Sequence, residues 1–217
     1  MPPLSSYSMV VDFDGTAAAA DVQQVILDAL ADPLAWRSVN REWADGKLTT
    51  KQRAELQWQL VSATEQEVLN VVAQQRLDPG FASFAAFCHK HHYPLTIVSD
   101  GFDFYIHPML RRAGLDYLPV VANSLWYADG VPQMRFCLQR SPDQYYGNDK
   151  TVVMEQLRAA AATVVFVGDG YSDRDAAHQA DMLFAKDRLA EYCNTQNLSY
   201  VPFETFFDVQ THFIAQR

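Results

Sequence analysis

Cysteine is scarce. The chain has 3, at Cys88, Cys137 and Cys193; they are odd in number and carry no metal-ligand spacing. Neither a disulfide framework nor a zinc site is suggested. Positive charge is short as well, with 17 Lys and Arg against 26 Asp and Glu, a net charge of −9. That balance argues against non-specific binding to nucleic acid or to an anionic membrane. No apolar run approaches the length needed to span a bilayer. The opening Met1-Pro-Pro-Leu-Ser-Ser has neither the basic nor the apolar region of a secretory leader, so the expected compartment is the cytoplasm. No internal repeat or low-complexity segment appears. What remains is an ordinary globular composition, 49% apolar and 20% charged over 217 residues. This suffices for one sizeable core and a smaller second domain.

The stretch that organises the rest is Met9-Val-Val-Asp12-Phe-Asp14-Gly15-Thr16. An apolar β-branched run reads as a buried parallel strand, and α/β folds place ligands at the C-terminal tips of such strands. Period-two alternation turns Asp12 and Asp14 to the same side. Two carboxylates that close repel, which a divalent cation between them or a proton on one of them would explain. Gly15 lets the backbone leave the strand sharply. An acidic turn after a strand would fit the pair alone.

From Thr16 onward the pattern is helical. Val22, Val25, Ile26 and Leu30 have helical spacing over residues 21–31, and Asp32-Pro33 ends that run. Trp36 to Trp43 follows, broken by Asp45-Gly46. Thr49 or Thr50 caps a helix through Leu60, and Ser62 with Glu65 has capping-box spacing for one reaching about Gln75. Residues 18–76 read as a small helical insertion, with the remaining domain made of residues 1–17 and 77–217.

Asp78 is expected to cap the next helix with Pro79 in its first turn. His89, His91 and His92 at its end read as dipole-favoured cations sooner than a metal site. Leu95-Thr-Ile-Val-Ser99-Asp100-Gly101 is a second buried strand with a polar tip. Residues 102–113 read as a helix kinked at Pro108, and Tyr117–Val121 as a strand. Leu125 to Phe136 reads as a hairpin about Asp129-Gly130, with Pro132 marking an edge. Gln139 to Asn148 is polar and irregular, and Lys150 opens a helix through Ala160. Thr163-Val-Val-Phe-Val-Gly168-Asp169-Gly170 is the third buried strand, followed by Tyr171-Ser172-Asp173 and a helix. Short strands near Met182–Phe184 and Tyr200–Val201, each followed by a helix, close the chain.

Three buried strands thus end in polar tips, and a lysine precedes the third. Singly, Ser99 could cap a helix, Asp169 could sit in a turn and Lys150 could be solvated. One site accounts for all of them together.

The order Asp-x-Asp-Gly-Thr, strand-Ser, Lys, Gly-Asp-Gly-x-x-Asp resembles the haloacid dehalogenase superfamily of phosphohydrolases. The helical insertion resembles the small cap of its phosphoserine phosphatase-like branch. Ile97 to Leu110 and the hairpin before the lysine are most similar to phosphatases acting on 2-hydroxy-3-keto-5-methylthiopentenyl-1-phosphate. Those relatives have a cysteine-rich stretch before the lysine, where this chain reads Asp143-Gln-Tyr-Tyr-Gly-Asn-Asp-Lys150. The resemblance implies an α/β fold, a Rossmann-like parallel-sheet core with an all-helical cap inserted after the first strand. It implies Asp12 as nucleophile and Asp14 as general acid and then base. It implies Mg²⁺ held by Asp12, the main-chain carbonyl of Asp14 and Asp169, with Asp173 supporting through water. Ser99 and the N–H groups near Asp100 and Gly101 would hold phosphoryl oxygens, and Lys150 would pair with Asp12 and the phosphate.

The expected partner is therefore a small phosphate monoester, turned over by a monomer or homodimer. A response-regulator-like signalling domain also combines Mg²⁺, aspartates and a lysine, but needs neither Asp14 nor a cap. A phosphotransferase would pass the group to a second alcohol. A non-catalytic phospholigand-binding module would not need both Asp12 and Asp14. Phosphoserine phosphatases hold the substrate amino group with an acidic residue after the first motif, matched here by Asp21. Their carboxylate-binding arginine falls on Gln57, with Arg53 one helical turn earlier. Glutamine cannot supply a bidentate, charge-assisted pair, which favours a hydroxylated or carbonyl-bearing monoester over phosphoserine. Trp126 and Tyr127 are expected to be exposed, as an interface or a lid.

Overall fold

A strand with no polar interruption needs cover on both faces, and the chain supplies it from two directions. The computed structural model describes residues 5–138, 140, 145, 147–158 and 161–215. After β1 (Ser5–Val11) come four helices, α1 (Val22–Leu30), α2 (Pro33–Ala44), α3 (Thr50–Gln59) and α4 (Glu65–Gln74). Next are α5 (Phe81–Lys90), β2 (Leu95–Phe102), α6 (Asp103–Arg112) and the hairpin β3 (Val120–Ala128) and β4 (Val131–Arg135). The chain ends with α7 (Lys150–Arg158), β5 (Ala161–Gly168), α8 (Arg174–Gln179), β6 (Met182–Ala185), α9 (Asp187–Gln196), β7 (Val201–Pro202) and α10 (Phe206–Ala215).

Among the described residues the strands form one sheet in the order β4-β3-β2-β1-β5-β6-β7. Every neighbouring pair is parallel except the β3–β4 hairpin. The chain moves outward from β1 through β2 to β3, then returns to β5 on the other side of β1. A reversal of that kind opens a crevice at the C-terminal strand ends. Met9, Val11, Val165 and Val167 face one core with α5, α6 and α10. Val10, Val164 and Phe166 face the other, with α7, α8 and α9. The α/β class and its parallel core are as expected.

The helical excursion leaves and re-enters at one place. Ala18 and Leu77 form an antiparallel bridge, the Ala19 N–H donates to the Arg76 carbonyl at 3.0 Å, and that of Asp78 to the Ala17 carbonyl at 2.9 Å. Its helices begin where side chains can satisfy free N–H groups. Asp21 accepts from Gln24, Asp32 from Leu34 and Ala35, and Thr49 forms a capping box with Gln52.

Four local expectations are corrected. The capping box of α4 is Thr64 with Glu67, not Ser62 with Glu65, because the Ser62 N–H is committed to the Leu30 carbonyl at the end of α1. Asp78 does not cap α5, which begins after Gly80. Its Oδ1 accepts from the Gly80 and Phe206 N–H groups at 2.8 and 3.0 Å, tying α5 to the start of α10. Tyr117 lies outside β3, since the Leu118 N–H turns back onto the Leu115 carbonyl. One continuous β3 then serves both neighbours, parallel to β2 first and antiparallel to β4 afterwards. Last, Tyr127 is half-buried against Phe104 with ring centroids 5.8 Å apart, whereas Trp126 is exposed.

The Asp129-Gly130 turn has positive φ at both residues, the geometry that suits strand twist in a two-residue hairpin. The expected irregular stretch from Gln139 to Asn148 and the end of the α7 helix near Ala160 lie largely outside the described residues. No helix among the described residues is long and apolar enough to cross a membrane.

Candidate active site

The tips of β1, β2 and β5 meet under α1, α2 and α3 around a cavity of about 530 Å³. Asp12 and Asp14 both line it, while Phe13 between them is fully buried in the core. The two carboxylates share the cavity as expected, although not through continued strand alternation: the chain leaves the strand after Asp12 and turns tightly over Phe13–Ala17. Gly15 follows with φ of +74°, and a Cβ there would lie 2.6 Å from Asp169 Oδ2. Only glycine satisfies both the backbone and the approach of that carboxylate.

Lys150, at the start of α7, is 2% exposed. Its Nζ donates to Asp12 Oδ1 at 2.6 Å, to Asp173 Oδ1 at 2.5 Å and to Ser172 Oγ at 3.3 Å. Burial alone would lower the pKa of this ammonium, but Asp12 and Asp173 outweigh it and hold the pKa above the ordinary lysine range. Asp12 Oδ1 is thereby committed, which leaves Oδ2 for the cavity. The second oxygen of Asp173 accepts from the Asp169 and Gly170 N–H groups at 3.0 and 2.9 Å. Thr16 Oγ donates to Asp169 Oδ1 at 2.6 Å.

Asp12, Asp169 and Asp173 bring ligand oxygens within 4.8 Å of one another. Three carboxylates here face one ammonium, so the cluster is short of positive charge. Burial and then Asp173 raise Asp12 well above the carboxylate range, and the same two causes push Asp169 up to about 7. Hard oxygen donors with surplus negative charge fit a hard divalent cation such as Mg²⁺. His89, His91 and His92 take no part in a metal cluster among the described residues.

Asp14 has a different environment. Its Oδ1 accepts from the Val22 N–H at 2.9 Å and its Oδ2 from the Tyr105 hydroxyl at 2.7 Å. No lysine or arginine pairs with it among the described residues. Burial first, and Asp21 second, push it up to about 7. Its carboxyl is absent from the metal-competent cluster, consistent with a role for its side chain in proton transfer.

On β2, Ser99 Oγ is buried and accepts from the Gly101 N–H at 2.9 Å. Asp100 turns its carboxylate toward the segment before Lys150, accepting from the N–H groups of Asn148 at 2.5 Å and Gly147 at 3.4 Å. Asn148 Nδ2 donates to the Ser99 carbonyl at 2.7 Å. These bonds fasten the β2 tip to the lysine segment.

A family model described as haloacid dehalogenase-like hydrolase matches residues 9–178, the span from β1 through α8 that carries every group just described. The chain belongs to the haloacid dehalogenase-like hydrolase family. A 2-hydroxy-3-keto-5-methylthiopentenyl-1-phosphate phosphatase of Geobacillus thermodenitrificans is 30% identical over 207 residues, covering 93% of this chain and 92% of that protein. One of Exiguobacterium sibiricum is 26% identical over 207 residues, covering 94% of each. Among solved structures, a phospho-aspartyl intermediate analogue of phosphoserine phosphatase aligns with a TM-score of 0.75 at 17% identity, over 96% of this chain and 99% of that one. That likeness concerns the fold.

In this hydrolase the structure brings Asp12, Asp14, Ser99, Asp100, Gly101 and Asp169 to one cavity, with Lys150 and Asp173 directly behind Asp12. From the helical segment, Asp21, Arg53 and Gln57 also line it. Asp21 is exposed and caps α1; Gln57 is buried. Trp126 and Tyr127 do not line the cavity, which removes the lid reading for that hairpin. Tyr105, Asn148, Gln23, Trp36 and Asn40 were not expected at the site. Asn148 had a signal in its place two residues before Lys150, and Gln23, Trp36 and Asn40 had one in their helical spacing. Tyr105 carried none.

Proposed function

We propose that this hydrolase is a Mg²⁺-dependent phosphomonoesterase that forms an aspartyl-phosphate on Asp12. One observation carries the reading: two carboxyls on one cavity wall have different partners. Burial raises both, but Asp12 is held by an ammonium 2.6 Å away that pulls its pKa back down, whereas Asp14 has only neutral donors among the described residues. The first suits a nucleophile, the second an acid that still holds its proton at neutral pH.

Asp12, Asp169 and the main-chain carbonyl of Asp14 would hold Mg²⁺, with Asp173 in support; when bound, it offsets the charge of the phosphate. Asp12 Oδ2 attacks phosphorus, the ester P–O bond breaks, and Asp14 gives its proton to the departing oxygen. Asp14 then takes a proton from water as the water oxygen attacks phosphorus, releasing phosphate and restoring Asp12. Lys150 holds Asp12 in orientation and lessens the repulsion between anions. Ser99 and the nearby main-chain N–H groups receive phosphoryl oxygens. Residues 18–76 act as a cap over a core formed by 1–17 and 77–217.

The substrate is a small phosphorylated metabolite, and an enol phosphate of the kind named for the curated relatives fits better than phosphoserine. Gln57 stands where phosphoserine phosphatases carry their carboxylate-binding arginine. It is buried in a neutral row, accepting from Gln23 at 3.0 Å and donating to Asn40 at 3.2 Å. A panel of phosphate monoesters assayed with Mg²⁺ tests the reading. Turnover is expected to stop on chelation and to return with Mg²⁺; full activity after exhaustive chelation would contradict it.

A further inference from the structure

The tip of β2 leaves the regular ladders of the sheet. Pairing with β1 ends at Ile97, and pairing with β3 passes from Val98 with Val121 to Phe102 with Asn123, four residues along β2 against two along β3. A bulge of this kind re-aims the strand and takes main-chain groups out of the ladder. Ser99, Asp100 and Gly101 lie in it, and all three line the cavity. Two buried side-chain amides bond the carbonyls there. Asn148 Nδ2 donates to the Ser99 carbonyl at 2.7 Å, and Asn123 Nδ2 to the Asp100 carbonyl at 2.8 Å. They come from different elements, Asn123 from β3 and Asn148 from the segment before α7. Asn148 is 1% exposed and fully engaged: its Oδ1 accepts from the Leu138 N–H at 3.0 Å, and its own N–H donates to Asp100 Oδ1. Asn123 is fully buried, and its Oδ1 has no partner among the described residues. A buried acceptor left in that state costs about 1–3 kcal/mol, so the contribution of this asparagine lies in its Nδ2 donor.

We propose that Asn123 and Asn148 are positioning residues for phosphoryl transfer, holding the two peptide units by which β2 presents its phosphoryl-binding groups. The inference rests on the phosphomonoesterase reading above and adds the residues that keep its phosphoryl site in register. In a trans peptide the N–H points away from the carbonyl. Fixing the Ser99 carbonyl therefore aims the Asp100 N–H, and fixing the Asp100 carbonyl aims the Gly101 N–H. The Gly101 N–H meets Ser99 Oγ at 2.9 Å. With that oxygen accepting, the Ser99 hydroxyl proton is directed to a further acceptor, the place of a phosphoryl oxygen. Asn148 also stands two residues before Lys150, so it ties this hydroxyl to the ammonium that holds Asp12 Oδ1. Neither asparagine lines the cavity; both act through β2.

Asn123→Leu and Asn148→Leu remove the amides at similar volume. Asn123→Ser and Asn148→Ser, too short to reach the carbonyls, repeat the test where leucine is not accommodated. With p-nitrophenyl phosphate and Mg²⁺, each variant is expected to lose about 10–100-fold in kcat, the scale of a small misplacement at the reacting centre, with KM changed by less than about 3-fold. In a Ser99→Ala background Asn123→Leu should cost less than about 3-fold more, because residues that act through one another are not additive. Amide hydrogen exchange in the unliganded protein gives a readout that needs no turnover. In Asn123→Leu the Gly101 amide should exchange about 10-fold faster relative to Val10 at the centre of the sheet, whereas a general loss of stability speeds both alike. Unchanged kcat in both variants, losses confined to KM, a penalty that adds in full to that of Ser99→Ala, or Gly101 exchange that moves only with Val10 overturns the proposal. If the wild type hydrolyses no phosphate ester, the phosphatase reading fails, while the exchange ratio still decides for or against the hold on β2.

Discussion

Lys150 Nζ lies 2.6 Å from Asp12 Oδ1 although 138 residues separate the two in sequence. A buried ion pair gains little stability over an apolar pair of similar volume, because both ions lose their hydration. Its presence at a strand tip, with Asp173 sharing the same ammonium, is explained by what it does to Asp12. Lys150→Met is expected to lower kcat by roughly 10²–10³-fold, the usual cost of one preorganised electrostatic partner. Removing one member also leaves buried carboxylates without their counter-charge, a loss of about 3–5 kcal/mol. Added Mg²⁺ should therefore raise the melting temperature more in the variant than in the wild type. Equal shifts would show that Lys150 and the cation do not share the same charge.

Much of this centre was legible because strand tips write their chemistry next to an apolar run: Asp12, Ser99 and Asp169 could each be found that way, and Lys150 by its place at a helix start ahead of the third strand. The sheet was legible for the same reason, since buried parallel strands lack alternation. What could not be read were contacts that depend on packing between distant elements. Tyr105 reaches Asp14 only because α6 leaves β2 in one direction. Asp78 was expected as a cap and is instead a tie between α5 and α10, and nothing local distinguishes the two roles. The capping box of α4 moved by two residues for a similar reason: two candidates had the right spacing, and a bond to α1 decided between them. In the roof of the cavity, the helical spacing of Trp36, Asn40 and Trp43 was visible, but not which face would be covered.

The cysteines test the packing of the cores. Burial pushes the Cys88 thiol up to about 12 and raises that of Cys193, while Cys137 is exposed. The thiolate is the reactive form, so its fraction grows as pH rises toward the pKa. At pH 8 Cys88 is therefore almost wholly in the unreactive thiol form in the folded protein. One equivalent of a thiol reagent should react quickly with native protein and three after denaturation. Rapid native labelling of Cys88 would contradict the burial of α5 against the sheet.

Gly101 sits where the acid and its positioning residue meet. A Cβ there would collide with the Tyr105 hydroxyl and with Asp14 Oδ2. Gly101→Ala is expected to cost about 1–3 kcal/mol of stability, as overpacking does, and to part Tyr105 from Asp14. Tyr105→Phe removes the same hydrogen bond without the clash. That bond lowers the Asp14 pKa, so losing it raises the pKa and keeps the proton on Asp14 to higher pH. The alkaline limb of the kcat profile for an alkyl ester should move upward in Tyr105→Phe, with a lower maximum. An unmoved limb would mean that Tyr105 does not act through Asp14.

Asp12 and Asp14 are two residues apart and should fail differently. Asp12→Asn removes the attacking oxygen, so turnover is lost with every ester. Asp14→Asn keeps the nucleophile and its lysine but cannot protonate a departing alkoxide. Loss of general acid catalysis costs typically 10²–10⁴-fold, and that penalty is expected for alkyl phosphates in the first step. p-Nitrophenolate leaves with little need of a proton, so its first step should be slowed far less. Its second step still requires a base to activate water, so Asp14→Asn should accumulate phosphorylated Asp12 with this substrate. Rapid-quench measurement of the covalent phosphate reads both effects. Equal first-step losses for the two ester types would show that Asp14 is not the proton donor.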